Sequence, residues 1–181
     1  MSTVEPLSMG MDSERLSRRA RQPGHDRTFL TSEANFVEAA RECLDPERYD
    51  VEPNPTDLRN IFVEASVGRL PLGVMPEASI TSRDTGRKFF VEVKKQGPQG
   101  NAHERAYKHH TVQFYKVLKA RFGWEYHPYV TIFCESLAVL PRYTIQIQGL
   151  VEPDQYFLWV DYELEPLCLY LRGRCAAWLD D

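Results

Sequence analysis

The sequence predicts a single α/β domain in which a central mixed β-sheet is flanked by helices. A chain of 181 residues with 43% hydrophobic content is long enough for one domain with a full core. Short β-rich apolar runs occur at residues 78–82, 87–95, 129–134, 143–148 and 156–160, and segments with helical apolar spacing lie before, between and after them. Residues 1–28 are polar and arginine-containing, so we expect a flexible basic arm there and the folded domain at residues 29–181.

Two scaffold helices are expected before the sheet. The first starts at Ser32, a capping residue, and stops before Pro46, which cannot continue it. Its buried stripe consists of Phe36, Val37, Ala40 and Leu44. The second runs from Thr56 to Gly68, and its buried face consists of Leu58, Ile61, Phe62 and Ala65.

The strand at residues 87–95 carries the candidate chemistry. Side chains alternate along a strand, so Glu92 and Lys94 project together on one face. Residues 78–82 can form a partner strand, and turn residues 84–86 would join it to the strand at residues 87–95. This hairpin would bring Glu77 across from Glu92. Two carboxylates suit Mg²⁺, which also takes water and phosphate oxygens, and Lys94 can orient the attacking water. The pattern predicts hydrolysis of a phosphodiester; its ordinary alternative is a solvated charge pair.

A long helix is expected from residue 102 to residue 122. Its core positions are Phe114, Val117, Leu118 and Phe122, and Gly123 follows as a stop signal. At its start Asn101 suits the N6 and N7 edge of adenine, Arg105 can donate to purine N7, and Glu104 can accept from base amino groups. A helix-terminal charge pair is the alternative for Glu104 and Arg105. We expect the histidines of this region, His103, His109 and His110, on a solvated polar face.

Three further elements should complete the domain. Strands are expected at residues 129–134, at residues 143–148 with Ile145 and Ile147 inward, and at residues 156–160. A final helix from Pro166 should cover the sheet with Leu167, Leu171, Cys175 and Trp178.

Charge and cysteine usage narrow the class of protein. The net charge is −4, yet residues 83–121 hold ten Lys or Arg against three acids, a local charge of +7 that leaves −11 elsewhere. A basic block of this kind favours a nucleic-acid partner. The four scattered cysteines predict reduced, mostly buried thiols. No long apolar run or signal-peptide core is present, so we expect a soluble cytoplasmic protein without a membrane segment.

Two motifs resemble a known enzyme family. Pro76-Glu77 followed by Glu92-Val93-Lys94 resembles the PD-(D/E)XK nuclease signature, and the sequence GNAHER at residues 100–105 resembles the recognition motif of the EcoRI/MunI type II restriction endonucleases. Residues 127–135 are similar to the family strand that follows. The resemblance implies a restriction-endonuclease-like fold and a homodimer that cuts double-stranded DNA at a palindrome containing AATT, leaving 5′ overhangs. It also implies a cognate DNA methyltransferase in the host, with no direct contact.

The resemblance also implies roles for individual residues. Glu77 and Glu92 would be catalytic and, with the carbonyl of Val93, would hold Mg²⁺, while Lys94 would assist the attacking water. The implied DNA contacts are Gln99, Gly100, Asn101, Ala102, His103, Glu104, Arg105 and Lys108.

The sequence departs from the family pattern at three points. Glu77 stands where aspartate is usual, Gln99 stands where an arginine reads the outer base pair, and only residues 95–99 connect the two motifs. The longer carboxylate is either accommodated by the backbone or impairs catalysis. Two alternatives therefore stay open: a repair or structure-specific nuclease of the same superfamily, and a catalytically impaired sequence-specific DNA-binding homologue.

Overall fold

The computed structural model describes residues 34–61 and 74–180. The predictions for the arm at residues 1–28, for the cap at Ser32 and for Phe62, Ala65 and Gly68 lie outside these ranges. Within them the chain folds into the α/β domain that the sequence predicts.

The described residues form a five-stranded sheet with the order β1-β2-β3-β4-β5. The strands are β1 Tyr49–Pro53, β2 Ala78–Ser82, β3 Lys88–Gln96, β4 Tyr129–Glu135 and β5 Tyr156–Trp159. The β1–β2 and β2–β3 pairs are antiparallel, whereas the β3–β4 and β4–β5 pairs are parallel. The sheet is therefore mixed, as predicted. β1 was not predicted from the sequence, whereas the bounds of β2, β3, β4 and β5 lie within a residue or two of the predicted ones.

Helices cover both faces of this sheet. They are α1 Ala34–Cys43, α2 Ala102–Tyr107, α3 Val112–Phe122, α4 Ser136–Val139, α5 Pro141–Leu150 and α6 Leu164–Trp178. On one face Phe89 of β3 packs edge-on against Trp178 of α6, with ring centroids 5.6 Å apart. On the other face Phe90 lies in one cluster with Phe114 and Leu118 of α3. Alternation along β3 therefore puts Glu92 and Lys94 on the α3 side of the sheet.

Several helix predictions are confirmed at their buried positions. Phe36, Val37 and Ala40 of α1 are buried, as are Leu58 and Ile61 after β1. The helix predicted from Thr56 is wrong at its start, because residues 57–60 form turns and the first helical residue described in this segment is Ile61. In α6 the four predicted side chains, Leu167, Leu171, Cys175 and Trp178, are all buried.

The strand predicted at residues 143–148 is wrong, because this segment lies inside α5. Pro141 occupies the first turn of that helix, where a missing N–H costs nothing. Tyr143 and Ile147, four residues apart, are buried, while Ile145 is 67% exposed. The burial period is therefore helical, and the alternation of Tyr143, Ile145 and Ile147 was a coincidence of spacing.

The single helix predicted at residues 102–122 is interrupted. It divides into α2, a 3₁₀ turn at Lys108–His110, and α3. Thr111 is extended between them, and its side-chain oxygen accepts a hydrogen bond from the Phe114 N–H at 3.2 Å, so it caps α3. Gly123 ends α3 in the left-handed conformation, as predicted.

The prediction that all four cysteines are reduced thiols is wrong for one pair. Cys43 at the end of α1 and Cys168 in α6 form a disulfide across 125 residues of chain. Sequence spacing could not show this pair, because only the packing of α1 against α6 brings the two residues together. Cys134 and Cys175 are buried free thiols, as predicted. Among the described residues no helix has the length and apolarity needed to cross a bilayer.

Candidate active site and DNA-reading surface

The β2–β3 hairpin places Glu77 and Glu92 beside each other. Ala78 pairs with Val91, so Glu77, one residue before the strand, lies level with Glu92. The backbone N–H of Val93 donates a hydrogen bond to Oε2 of Glu77 at 2.8 Å, and the N–H of Asn54 donates to the Glu77 carbonyl at 2.9 Å. Both the backbone and the side chain of Glu77 are thereby fixed.

Lys94 completes the predicted group of three. Its Nζ pairs with Oε1 of Glu92 and lies 4.0 Å from Oε1 of Glu77. Glu92 is only 7% exposed, and its Oε2 accepts a hydrogen bond from the hydroxyl of the buried Tyr129 at 3.0 Å. The three side chains do converge, and the buried Glu92 makes a solvated surface charge pair a poor description of them.

The electrostatics of this group favour an additional cation. Burial, together with the charge of Glu92, raises the pKa of Glu77 to about 7, against the opposing effects of the Val93 hydrogen bond and Lys94. The pKa of Tyr129 is also raised, by burial and by Glu92, so its hydroxyl stays protonated and can donate. Two carboxylates share one lysine, and a bound cation would relieve their mutual repulsion.

The residues present fit Mg²⁺ as a partly hydrated ion. Across residues 34–61 and 74–180 no group of three or more His, Cys, Asp or Glu side chains comes together that could enclose a metal. The protein side chains on offer are the two hard carboxylates of Glu77 and Glu92, and the Val93 carbonyl stays a predicted ligand. Mg²⁺ is commonly held by one or two carboxylates, keeping waters and substrate phosphate oxygens for its other positions, so this donor set suits it.

The predicted solvated face for the three histidines is wrong. His109 is 4% exposed and packs between Phe114 and Tyr129, with ring centroids 5.4 and 4.7 Å away. Nε2 of His110 lies 2.8 Å from Oγ1 of Thr131, which pairs with Glu92 in the β3–β4 register. The 3₁₀ turn before Thr111 directs both rings inward, behind the carboxylates. The capping threonine ahead of an apolar run was the sequence signal for this break.

His103 is also buried, at a different place. Its Nε2 lies 3.1 Å from Oε1 of Gln146 in α5, and its ring packs edge-on against Tyr143. Ala102 and Ala106 belong to the same contact region, in a cluster with Phe133 of β4. These buried groups hold α2 against the domain, so Ala102 and His103 have supporting positions and their side chains do not reach the surface.

The remaining predicted DNA contacts form an exposed surface. Asn101, Glu104, Arg105 and Lys108 are all exposed. The adjacent pair Glu104 and Arg105 lies three or four residues from both Asn101 and Lys108, so the four lie along one side of α2 and the turn that follows it. Gln99 and Gly100, just before the helix, are exposed too. We call these six residues the reading surface. It begins only a few residues after Lys94, so the two predicted functions are adjacent in the chain.

Sequence reasoning missed Tyr129 as part of the site. Its hydroxyl reaches Glu92 because β3 and β4 are parallel neighbours, with Phe90 and Tyr129 in register. The β-rich run at residues 129–134 predicted the strand of Tyr129 but gave no information about which strand it would join.

Comparison with known proteins identifies the family. The family model described as "Type II restriction enzyme MunI" matches residues 9–180. The crystal structure of MunI restriction endonuclease in complex with cognate DNA has a similar fold, with a TM-score of 0.60 and 20% sequence identity over 93% of this chain and 98% of that chain. No curated protein matches the sequence. Since the family model spans nearly all of the sequence, the chain belongs to the family of the type II restriction enzyme MunI, a site-specific deoxyribonuclease.

Proposed function

We propose that this protein is a Mg²⁺-dependent restriction endonuclease that hydrolyses both strands of a short palindrome containing AATT and leaves 5′ overhangs. The observation that carries the proposal is the convergence of Glu77, Glu92 and Lys94 at the end of the β2–β3 hairpin. The reading surface, which follows β3 along the chain, supplies the means to select a sequence.

The site residues divide the chemistry among them. Glu77 and Glu92, with the Val93 carbonyl, would hold Mg²⁺, which when bound polarises the phosphoryl oxygen and lowers the pKa of a coordinated water. Lys94 holds a positive charge between the two carboxylates, where it can orient that water or offset charge developing on phosphorus. Val93 contributes twice, because its N–H also fixes Oε2 of Glu77.

The reading surface suits an adenine-containing site. Asn101 stands at the N-terminus of α2 without using its side chain as a cap, so the amide can meet N6 and N7 of adenine with two hydrogen bonds. Arg105 can donate to purine N7, Glu104 can accept from base amino groups, and Lys108 can contact a phosphate. Gly100 allows the backbone to approach the bases. Gln99 favours adenine over guanine at the flanking position. Its amide matches the one donor and one acceptor on the major-groove edge of adenine, whereas guanine presents two acceptors there.

A palindromic site implies a symmetric assembly. We propose a homodimer in which each subunit supplies one active site and one half-site reader. The DNA complex known for MunI supports duplex DNA as the partner of this chain. A cognate methyltransferase would protect the host sequence, and the cytoplasm is the compartment in which both enzymes would meet DNA.

The test compares two neighbouring lysines. Lys94→Ala removes the cation beside the carboxylates, whereas the matched control Lys95→Ala changes an exposed lysine on the opposite face of β3. We expect Lys94→Ala to bind DNA that wild type cuts, but to cleave it at least about a hundredfold more slowly. Lys95→Ala should cleave within a few fold of wild type.

The outcomes separate the candidate functions. Cleavage by Lys94→Ala at the wild-type rate would remove lysine from the mechanism. A smear of products in place of discrete fragments would favour a nuclease without sequence preference. Specific binding with no cleavage by wild type in Mg²⁺ or Mn²⁺ would favour the catalytically impaired DNA-binding homologue. In that case the longer side chain of Glu77 does not support a functional metal site.

A further inference from the structure

A hydrogen bond connects the catalytic strand directly to the reading helix. Gln96 is the last residue of β3 and lies on the same strand face as Glu92 and Lys94. Its Oε1 accepts a hydrogen bond from the backbone N–H of Ala102, the first residue of α2, at 2.6 Å. An N-terminal amide of α2 is therefore satisfied by the strand that carries the catalytic groups, while the side chain of Asn101 makes no capping bond.

Gly100 makes this contact possible. Its φ of +138° belongs to a region that L side chains rarely adopt, and a Cβ at this position would lie 2.8 Å from Oε1 and 2.9 Å from Cδ of Gln96. The backbone of the reading motif thus passes directly over the Gln96 amide. The first glycine of the GNAHER motif serves a contact with the catalytic strand, in addition to any approach to DNA.

Other contacts hold α2 independently of Gln96. Ala102 and Ala106 are buried in a cluster with Phe133, and the hydroxyl of Tyr143 donates to the carbonyl of Pro98 in the connecting loop at 3.0 Å. The helix therefore does not depend on Gln96 to pack against the domain. What Gln96 adds is a fixed distance between the start of α2 and the end of β3.

The other end of the Gln96 amide is unusual. Its Nε2 is buried and has no hydrogen-bond partner among the described residues. Buried donors are normally paired, and a leucine or methionine of similar length would avoid this unsatisfied group. The hydrogen bond that Oε1 of Gln96 accepts from the first turn of α2 explains why an amide stands at this position.

From these contacts we propose that Gln96 is a positioning residue that couples base reading to cleavage. The inference rests on the proposed function. When DNA is bound to the reading surface, the Gln96–Ala102 hydrogen bond fixes the positions of Lys94 and Glu92 relative to the sugar-phosphate backbone of the DNA. Loss of this bond leaves the site and the reader folded but loosens their alignment, so the rate of cleavage falls more than the affinity for DNA.

Two substitutions of similar length test the coupling. Gln96→Met removes the acceptor and keeps the side-chain length, whereas Gln96→Glu keeps an acceptor oxygen at the same reach. For each protein we would measure thermal stability, affinity for DNA with the cognate site and single-turnover cleavage in Mg²⁺. The cleavage would be measured on that DNA and on sites altered by one base pair.

We expect Gln96→Met to melt and bind cognate DNA like wild type while cleaving it roughly ten to a hundred times more slowly. Its preference for the cognate site over altered sites should also fall, and Gln96→Glu should recover most of the rate. The coupling is overturned if Gln96→Met cleaves like wild type, or if its stability, affinity and rate fall together. Failure of wild type to cleave any DNA would instead overturn the proposed function and, with it, this inference.

Discussion

The hydroxyl of Tyr129 donates a hydrogen bond to Oε2 of Glu92 across 3.0 Å in the interior of the domain. Tyr129 is fully buried, and Lys94 contacts the other oxygen of the same carboxylate. Glu92 is therefore held at both oxygens, by a tyrosine from the neighbouring parallel strand and by a lysine from its own. Partners of this kind orient metal-binding carboxylates and tune their affinity.

Removing the tyrosine hydroxyl should weaken the cation site. Tyr129→Phe keeps the ring packing but leaves one Glu92 oxygen without its donor, so we expect roughly tenfold weaker activation by Mg²⁺. The measurement is the Mg²⁺ dependence of the cleavage rate. Tyr115→Phe is a matched control, because it removes a tyrosine hydrogen bond to the Glu125 carbonyl on an exposed part of α3 and its loop. Identical Mg²⁺ curves for wild type and Tyr129→Phe would show that the hydroxyl does not support the site.

The raised pKa of Glu77 predicts pH-dependent cation binding. Burial, with the charge of Glu92, raises this pKa from 4.5 to about 7, so in the metal-free protein the carboxyl is increasingly protonated as pH falls below 7. A cation must displace that proton, and its binding should therefore strengthen as pH rises through 7. The same shift means that the metal-free fold loses stability as pH rises from 4.5 to 7, because the unfolded chain ionises more readily.

Thermal melting with and without Mg²⁺ measures both effects. The increase in melting temperature on adding Mg²⁺ should grow between about pH 6 and about pH 8, and should be largely lost in Glu77→Gln. If the Mg²⁺-induced increase is the same at both pH values, the ionisation of Glu77 is not linked to the cation.

The buried His109 predicts sensitivity to acid. Burial, followed by the nearby charges of Lys108 and His110, lowers its pKa from 6.5 to about 3, and both ring nitrogens lack partners among the described residues. The unfolded chain takes up the proton more readily, so the contribution of this residue to stability is lost as pH falls from 6.5 towards 3. His109→Phe keeps a ring against Phe114 and Tyr129 but cannot be protonated. Denaturant unfolding should show a shallower loss of stability below pH 6.5 in this variant, and parallel pH profiles would contradict the assignment.

The exposed amide of Asn101 predicts base discrimination. Asn101→Ala should reduce the preference for adenine at one position of the site by roughly 1–3 kcal/mol. Lys108→Ala, which changes a proposed phosphate contact on the same surface, should weaken binding about equally for all sequences. Competition binding against sites altered at single base pairs distinguishes the two effects. An unchanged sequence preference in Asn101→Ala would exclude this side chain as a reader.

Local pattern was sufficient where one face of an element is buried by its neighbours. Alternation located β3, β-rich apolar runs located β2 and β4, and helical spacing located α6 through Leu167 and Leu171. The same pattern gave the wrong element at Tyr143 and Ile147. Two residues four positions apart share a face in a helix and also share a face in a strand, so this spacing does not distinguish the two. Helical spacing failed at Thr111 because a capping residue can divide a continuous apolar stripe.

The proposed catalytic group of Glu77, Glu92 and Lys94 was predictable because it is local, whereas the residues that support it were not. Glu92 and Lys94 share a strand face, and a short turn brings Glu77 level with them. Tyr129 is 37 residues from Glu92 along the chain and reaches it only through the parallel pairing of β3 with β4. The Cys43–Cys168 disulfide likewise depends on helix packing that no sequence period encodes.

The most direct test of the proposed function is to map every end that the protein produces in a fully sequenced DNA with Mg²⁺. We predict paired breaks on the two strands at one palindrome containing AATT, each leaving a 5′ overhang. The breaks should be absent when the cation is chelated, and should form at least about a hundredfold more slowly when Lys94 is replaced by alanine. Ends scattered without a common sequence, or breaks that persist without a divalent cation, would contradict the account.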